Sequence, residues 1–319
     1  MEKNINFIVK EKEKNLRVDV LINKRDELIS RTRVKNLILK GKLKLNNKII
    51  KSPSKKVSVG DFIDLQIPEP EMASLKPYKF RFKIVYEDKD LLVIDKPAGI
   101  IMHPGAGNYD KTIVNALISY NKNSLSNIGD ELRPGIVHRI DKDTSGLVVI
   151  ARKNGFRNHI AEQFQNRKVE KKYLAVIKGE ILGALTIDKP IARDRQNRTK
   201  MKVDESGREA ISEAISLESF DGYSLVEVKI ETGRTHQIRV HLSSNKTPII
   251  GDKAYGSGSQ LIKNLSENLK DKILSFPRQA LHAYQLAFLD ASNDMQTYKI
   301  GPPDDILGLI ESLKSNENA

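Results

Sequence analysis

The hydrophobic positions change rhythm along the chain, and the changes mark out its parts. Val34, Leu37, Ile38 and Leu39 recur at helical spacing. Ser30, a residue type that caps helix starts, precedes them, and Lys40-Gly41 follows: a cation in the last turn, then a permissive residue. This predicts a short helix. Leu43 and Leu45 then alternate with lysines, Asn46-Asn47 supplies a turn and Ile49-Ile50 returns, the pattern of a hairpin, while Ile63, Leu65 and Ile67 alternate as a further strand. Beyond Phe80 the apolar runs become denser. Leu91–Ile94, Leu147–Ile150, Tyr173–Ile177, Leu225–Ile230 and Leu286–Leu289 read as strands, interrupted irregularly by helical stretches at Thr112–Tyr120 and Phe156–Arg167. A βαβ repeat would alternate strictly, so the pattern predicts an α+β fold: a mixed, mostly antiparallel sheet flanked by helices. Pro68-Glu69-Pro70-Glu71 and Pro77 stiffen the segment between. The expected organisation is a lead (1–14), a small helix–hairpin domain (15–67), a Pro-rich linker (68–79), a larger domain (80–310) and a frayed polar tail (311–319).

Composition narrows the function. The chain of 319 residues is 39% hydrophobic, enough to bury a sizeable core, and holds no cysteine, which excludes disulfides, thiolate metal sites and a cysteine nucleophile. No apolar run approaches the length of a membrane span and the start has no signal core, so a cytoplasmic protein that makes no use of membranes is expected. Fifty-four Lys and Arg against 41 Asp and Glu leave a net charge of +13, which points to a polyanionic partner. The charge is concentrated: the stretch Arg31–Lys56 carries ten Lys or Arg and no acid. Solvated faces normally mix signs, so this stretch reads as a nucleic-acid-binding face built from Arg31, Arg33, Lys35, Lys42 and Lys44.

Three segments concentrate polar chemistry. Gly135-Ile136-Val137-His138-Arg139-Ile140-Asp141-Lys142-Asp143-Thr144-Ser145-Gly146 runs straight into an apolar strand, which sets its side chains at the end of a sheet. Lys171-Lys172-Tyr173 is the second. In the third, Thr232-Gly233-Arg234-Thr235-His236-Gln237-Ile238-Arg239-Val240-His241, Thr235 is placed to cap a helix that turns Ile238 and Leu242 inward. His236 and His241 are five residues apart, one off the spacing that sets two metal ligands on one helical face, so no metal is expected. No glycine-rich phosphate loop is present, and Ser145 lacks a nucleophile elbow. A carboxylate, arginines and a tyrosine on a basic chain remain. An Asp beside an Arg stays ionised and can act as nucleophile or base without a cofactor. On the residues alone, a structural Asp–Arg pair explains the pattern as well.

Residues 15–67 resemble the S4 RNA-binding domain, through Arg17-Val18-Asp19, Ser30-Arg31, Gly41-Lys42-Leu43-Lys44-Leu45-Asn46 and Val59-Gly60-Asp61. The stretch His138–Leu147 resembles the signature motif of the RluA-type pseudouridine synthases. Ile94-Asp95-Lys96-Pro97-Ala98-Gly99, Lys171–Val176 and Thr232–His241 resemble that family's other motifs in the same order. Within the family, His103–Asn108, Thr112, Val114-Asn115-Ala116-Leu117, Ile191-Ala192-Arg193-Asp194 and Arg198-Thr199-Lys200-Met201 are similar to a subgroup acting on large-subunit ribosomal RNA. Val203–Gly207 and a lysine-rich loop at Leu261–Ile273 follow no pattern of the family.

The resemblance implies roles. Asp141 matches the catalytic aspartate and Arg239 the arginine that pairs with it. Tyr173 matches the residue stacked on the uracil and suspected of taking its C5 proton. Arg139 matches a residue that displaces the flipped uridine, and His138 and Thr144 of the same motif are expected with it at the substrate RNA. Flipping costs a few kcal/mol, part of which an inserted guanidinium offsets. The implied reaction isomerises uridines to pseudouridines in 23S rRNA, in the subgroup those of helix 69, acting on free rRNA or a large-subunit precursor particle. No cofactor is implied, and a monomer is expected. Attack of Asp141 on the ring, attack on the sugar, and removal of a sugar proton are all open routes. The competing expectations are a non-catalytic RNA-binding ribosome-assembly factor and a metal-dependent RNA hydrolase.

Overall fold

The computed structural model describes residues 3–26, 29, 31–67, 75–105, 110–121, 125, 133–197, 199–256 and 265–317. Its internal contacts define two compact units, Met1–Lys79 with His103–Asp110 and Val114–Gly135, and Phe80–Met102 with Lys111–Ile113 and Ile136–Ala319.

The first unit contains strand β1 (Lys3–Ile8), helices α1 (Val18–Arg25) and α2 (Arg31–Leu39), and strands β2 (Leu43–Leu45), β3 (Lys48–Ile50) and β4 (Phe62–Ile67). These strands form an antiparallel sheet in the order β1-β4-β2-β3. Helix α2 buries Val34, Leu37 and Ile38 as the spacing predicts, but Leu39 is 52% exposed and does not join them. The proposed cap Ser30 and the Pro68–Glu71 linker residues lie outside the described residues. Asn46 and Asn47 take left-handed φ values of 50° and 62°, matching the twist of the hairpin they close. The lead at 1–14 is more than a lead, because β1 pairs along its whole length with β4. One core joins these elements, with Val18, Leu21 and Ile22 of α1 packed with Val34, Ile38, Leu43, Ile63 and Leu65. Of helix α3 (Ile113–Asn121), the part from Val114 on belongs to this unit: Asn115 donates to the Lys76 carbonyl at 2.7 Å and its own carbonyl accepts the Tyr78 N–H.

The second unit contains β5 (Lys83–Glu87), β6 (Leu91–Lys96), β7 (Ser145–Ala151), α4 (Asn154–Gln165), β8 (Glu170–Lys178), β9 (Ala184–Asp188), β10 (Ile191–Arg193), β11 (Met201–Val203), β12 (Ile211–Phe220), β13 (Tyr223–Ile230), α5 (Gln237–Ser244), α6 (Glu267–Leu274), β14 (Leu281–Leu289), β15 (Met295–Lys299) and α7 (Asp304–Glu317). Its main sheet runs β5-β6-β7-β14-β8-β13-β12-β9, with β15 branching from β14, and β10 and β11 form a separate hairpin. Among the described strands only β7 and β14 pair in parallel, so the sheet is mixed and mostly antiparallel, as expected. Continuous apolar runs in β6 and β7 bury both faces. One face packs Leu91, Val93, Leu147 and Val149 under Phe156 and Ile160 of α4.

Three expectations are corrected. The lysine-rich stretch at Leu261–Ile273, expected as a loop, holds a helix: 257–264 lie outside the described residues, and Glu267–Leu274 is a helix capped by Ser266, with Leu269 and Ile273 buried. The tail from Glu311 continues α7 to Glu317, because Leu313 extends the buried stripe of Ile306, Leu309 and Ile310. Thr235 does not cap α5. His236 stands at the N-cap, in a left-handed conformation.

Candidate active site

The Asp141 turn is fixed to the sheet by backbone contacts that leave no room for a side chain. Gly146, at φ 121°, pairs with Ala283 of β14, and a Cβ there would lie 2.2 Å from the Ala283 carbonyl oxygen. Ala283 pairs on its other side with Tyr173 of β8. A row Gly146–Ala283–Tyr173 therefore crosses the sheet and brings the end of the turn close to the tyrosine.

Two buried cations hold the turn itself. Lys96, fully buried at the end of β6, donates from Nζ to the carbonyls of Pro97 (2.8 Å), Ile100 (3.0 Å) and Lys142 (3.0 Å), one acceptor for each N–H. Burial pushes its pKa down to about 7, against the nearby charges of Asp143 and Asp141. Arg278 forms a two-pronged pair with Asp305 (2.7 and 2.8 Å) and turns its remaining nitrogen to the Asp143 carbonyl at 3.2 Å.

Helix α5 supplies the partner of Asp141. Arg239 donates from Nη1 to Asp141 Oδ2 at 2.9 Å and, from Nε and Nη2, to both oxygens of Asp252 at 2.7 and 2.9 Å. Burial works against the guanidinium charge, but the bonds and charges of Asp252 and Asp141 outweigh it and raise the arginine pKa above its ordinary value. Asp252 is itself held by the N–H groups of Ala254 and Tyr255, and Gly251 makes its position possible: at φ 73°, a Cβ would meet the Arg278 carbonyl oxygen at 2.0 Å. The start of α5 is anchored by Gln237, whose Oε1 accepts from Thr232 and the Arg234 N–H, while Nε2 donates to the Ile211 carbonyl and Ser212. His241 is fully buried between Ser212 and the Lys189 carbonyl, 2.9 Å from each, a structural residue.

Tyr173 is buried, at 7% exposure. Burial and then the charge of Asp141 push its phenol pKa well above the ordinary value, so it is protonated at rest. His236 faces the same carboxylate, its Nε2 3.9 Å from Asp141 Oδ2, and its Nδ1 lies 2.8 Å from the Tyr255 hydroxyl. The Tyr255 ring carries the Arg239 guanidinium over its face at 5.1 Å.

The other expected site residues divide. Arg139 is exposed, pairs with no carboxylate among the described residues, and is close enough for its charge to act on His236. His138 accepts the Val149 N–H through Nε2 at 3.0 Å and stacks on Phe164 at 4.8 Å, and burial pushes its pKa down to about 3. Thr144 is 2% exposed and accepts from Gln279. Both are engaged in holding the turn, which leaves Arg139 as the member of that trio presented to solvent. In the first unit Lys35, Lys42 and Lys44 are exposed and Arg33 is half-buried. Arg31 is committed to buried Asp19 at 3.1 Å, which Arg17 also pairs at 3.0 Å.

Asp252 and Tyr255 fall outside the motifs that the sequence shows, and Lys96 lies in one of them with no role implied for it. The segment Gly251-Asp252-Lys253-Ala254-Tyr255-Gly256 carries the signal that finds the first two: polar residues between glycines directly after an apolar pair. Beside the site, β10, β11 and the turn at 233–235 enclose a cleft of ≈ 490 Å³ whose charged lining is Arg193, Arg208 and Arg234.

An ion-paired carboxylate, a buried tyrosine beside it, an arginine-lined cleft and a basic helix–hairpin unit are what an enzyme acting on RNA requires. The sequence profile described as RNA pseudouridylate synthase matches residues 90–244, and that of the S4 domain matches residues 16–63. The chain is 39% identical over 295 residues to ribosomal large subunit pseudouridine synthase D of Zymomonas mobilis, an alignment covering 91% of this chain and 92% of that one. To the protein of the same name from Vibrio cholerae it is 36% identical over 309 residues, covering 97% and 94%. The solved structure of human RNA pseudouridylate synthase domain containing 4 superposes with a TM-score of 0.57 at 28% identity, covering 73% of this chain and 93% of that one. The chain belongs to the RNA pseudouridylate synthase family.

Proposed function

We propose that this chain isomerises uridines of 23S rRNA, in the free RNA or an assembling large-subunit particle, with Asp141 as the catalytic carboxylate. The names of its relatives support the large-subunit target. The observation that carries the site assignment is the array Asp252–Arg239–Asp141, in which one guanidinium is clamped by a buried carboxylate and presents its remaining edge to a second, partly open one. That arrangement sets the Asp141 carboxylate against a guanidinium and aims it, as a nucleophile or base requires.

In the reaction the uracil N1–C1′ bond breaks and a C5–C1′ bond forms; C5 loses a proton and N1 gains one. Tyr173 packs on the base. While Asp141 is charged the phenol keeps its proton; once the carboxylate is esterified or protonated that repulsion is lifted, the phenol gives up its proton more readily to solvent or N1, and the phenolate left behind can take the C5 proton. Arg139 is free to enter the stack vacated by the flipped nucleotide. The arginine-lined cleft and the lysines of the first unit take RNA phosphates. No helix among the described residues is long and apolar enough to cross a membrane, and a cytoplasmic site of action fits the substrate.

The test compares wild type with Asp141→Asn on 23S rRNA and on large-subunit particles, mapping pseudouridines by carbodiimide treatment and primer extension. Stops made by wild type and absent with Asp141→Asn are expected, and their positions name the target uridines. No pseudouridine from wild type, with equal RNA binding by both proteins, would instead make the chain an assembly factor.

A further inference from the structure

His236 is held in an unusual way. It takes φ 56° at the N-cap of α5, a conformation that a residue with a side chain adopts only when its surroundings hold it there. The result is a ring aimed at the catalytic carboxylate instead of back along the helix.

Its hydrogen bonds bear on which nitrogen carries the proton. The Met201 N–H of β11 donates to the Tyr255 hydroxyl oxygen at 2.8 Å, and the same hydroxyl lies 2.8 Å from His236 Nδ1. With its oxygen accepting from Met201, the Tyr255 O–H has Nδ1 as its acceptor among the described residues. An accepting Nδ1, with the single proton of the neutral imidazole on Nε2, gives the Tyr255 O–H a partner and leaves Nε2–H to face Asp141. Burial favours that neutral form; the charges of Arg239 and Arg139 act in the same sense, and those of Asp141 and Asp252 act against it. Nε2–H faces Asp141 Oδ2 at 3.9 Å, longer than a hydrogen bond, as catalytic contacts often are before substrate closes the site.

Arg239 also takes Oδ2. Oδ1 of Asp141 accepts from no described residue. We propose that His236 is a positioning residue for Asp141: its Nε2–H closes on Oδ2 when the uridine is bound and, with Arg239, holds that oxygen so that Oδ1 is the one that meets the substrate. The proposal rests on Asp141 being the catalytic carboxylate. It makes the β10–β11 hairpin part of the same chain of contacts, Met201 to Tyr255 to His236 to Asp141, so the hairpin that borders the arginine-lined cleft is tied to the reacting group.

Two side chains separate the two ring nitrogens. Asn reproduces Nδ1 and can accept from Tyr255, but nothing replaces Nε2. Gln reproduces Nε2 and can donate towards Asp141, but loses Tyr255. His236→Gln is expected to keep its single-turnover rate on 23S rRNA within about threefold of wild type. His236→Asn is expected to fall by about tenfold or more, which is the loss of roughly 1.4 kcal/mol of transition-state stabilisation, with RNA affinity unchanged. The reverse order of the two variants, or losses of affinity that match the losses of rate, would overturn the proposal. A second measurement needs no activity: long-range ¹⁵N–¹H spectra of the full-length enzyme, with His236 assigned by its absence in His236→Gln, should show the neutral tautomer protonated on Nε2. A proton on Nδ1, or on both nitrogens at neutral pH, would be incompatible with it. If Asp141→Asn retains pseudouridine formation while these spectra are as expected, the fault lies in the assignment of Asp141 and not in the tautomer.

Discussion

Arg239 commits three nitrogens to two carboxylates, and the geometry of a planar fork makes that possible. A lysine is a single point of charge and cannot span Asp252 and Asp141 together. Arg239→Lys is therefore expected to cut single-turnover rate by about a hundredfold, roughly 2.7 kcal/mol, while RNA affinity stays within about threefold. Equal losses of rate and affinity would mean that Arg239 grips RNA and does not hold Asp141. The pairing of Asp141 with Arg239, with Tyr173 near it, was expected from the motif resemblance, and the observed contacts agree with that pairing. Asp252 was not legible, because an acid delivered by a left-handed glycine turn 13 residues beyond its arginine has no periodicity to betray it. His138 and Thr144 pose the opposite problem, since they lie inside the motif. Motif membership does not distinguish a residue that touches substrate from one that holds the turn, and only the Val149 and Gln279 contacts do.

Elements place these residues, and the parallel contact between β7 and β14 is the one on which the site depends. Gly146→Ala would drive a methyl into the Ala283 carbonyl, so the strands must part or the Asp141 turn must move. Activity is expected to be lost together with about 3 kcal/mol or more of stability, as strain and a broken buried ladder compound. Gly155→Ala, in α4 with open space around the added carbon, is the control and should be neutral or stabilising by about 0.5–1 kcal/mol. Urea titration of both variants reads the difference; equal destabilisation would deny Gly146 its role. In the first unit α1 and α2 are tied through Asp19. Burial alone would raise that carboxyl, but Arg17 and Arg31 outweigh it and leave the pKa below its ordinary 3.8. A carboxyl depressed by folding contributes stability above its unfolded value and loses it as pH falls through the folded one. The thermal midpoint gap between wild type and Asp19→Asn should thus be present at pH 7 and narrow below pH 3.8; a gap constant with pH would show that the ion pairs contribute nothing. Strands with continuous apolar runs, such as β6 and β7, were legible in advance. β12 was not, since Ser212 and Ala214 are buried along with Phe220 while Ile215 and Leu217 face outward, which breaks the apolar-in alternation that marks a half-buried strand.

Over the whole molecule the dominant sequence signal is charge, and the structure changes how that signal should be tested. A net charge of +13 predicts RNA binding whose strength falls steeply with salt, because each phosphate contact releases counterions. The acid-free stretch from 31 to 56 contributes unequally to such contacts. Arg31 holds Asp19 and Arg33 is half-buried, so replacing either would disturb the fold of the first unit as well as its surface. Lys35, Lys42 and Lys44 are exposed and have no ion-pair partner among the described residues, which leaves their ammonium groups to solvent or to RNA. The combined variant Lys35→Gln, Lys42→Gln, Lys44→Gln removes three charges without unpairing a buried acid. Its plot of log affinity for 23S rRNA against log salt should flatten by roughly 2–3 in slope, at about 0.7–0.9 per lost phosphate contact. The single-turnover rate at saturating RNA should not change, because the three lysines belong to the first unit and the Asp141 turn to the second. A slope equal to that of wild type would remove the basic stretch as a phosphate-binding face and leave the arginine-lined cleft at 191–208 and 233–235 to carry the electrostatic grip. A fall in saturated rate would instead mean that the first unit helps to place the uridine over Asp141, beyond supplying affinity.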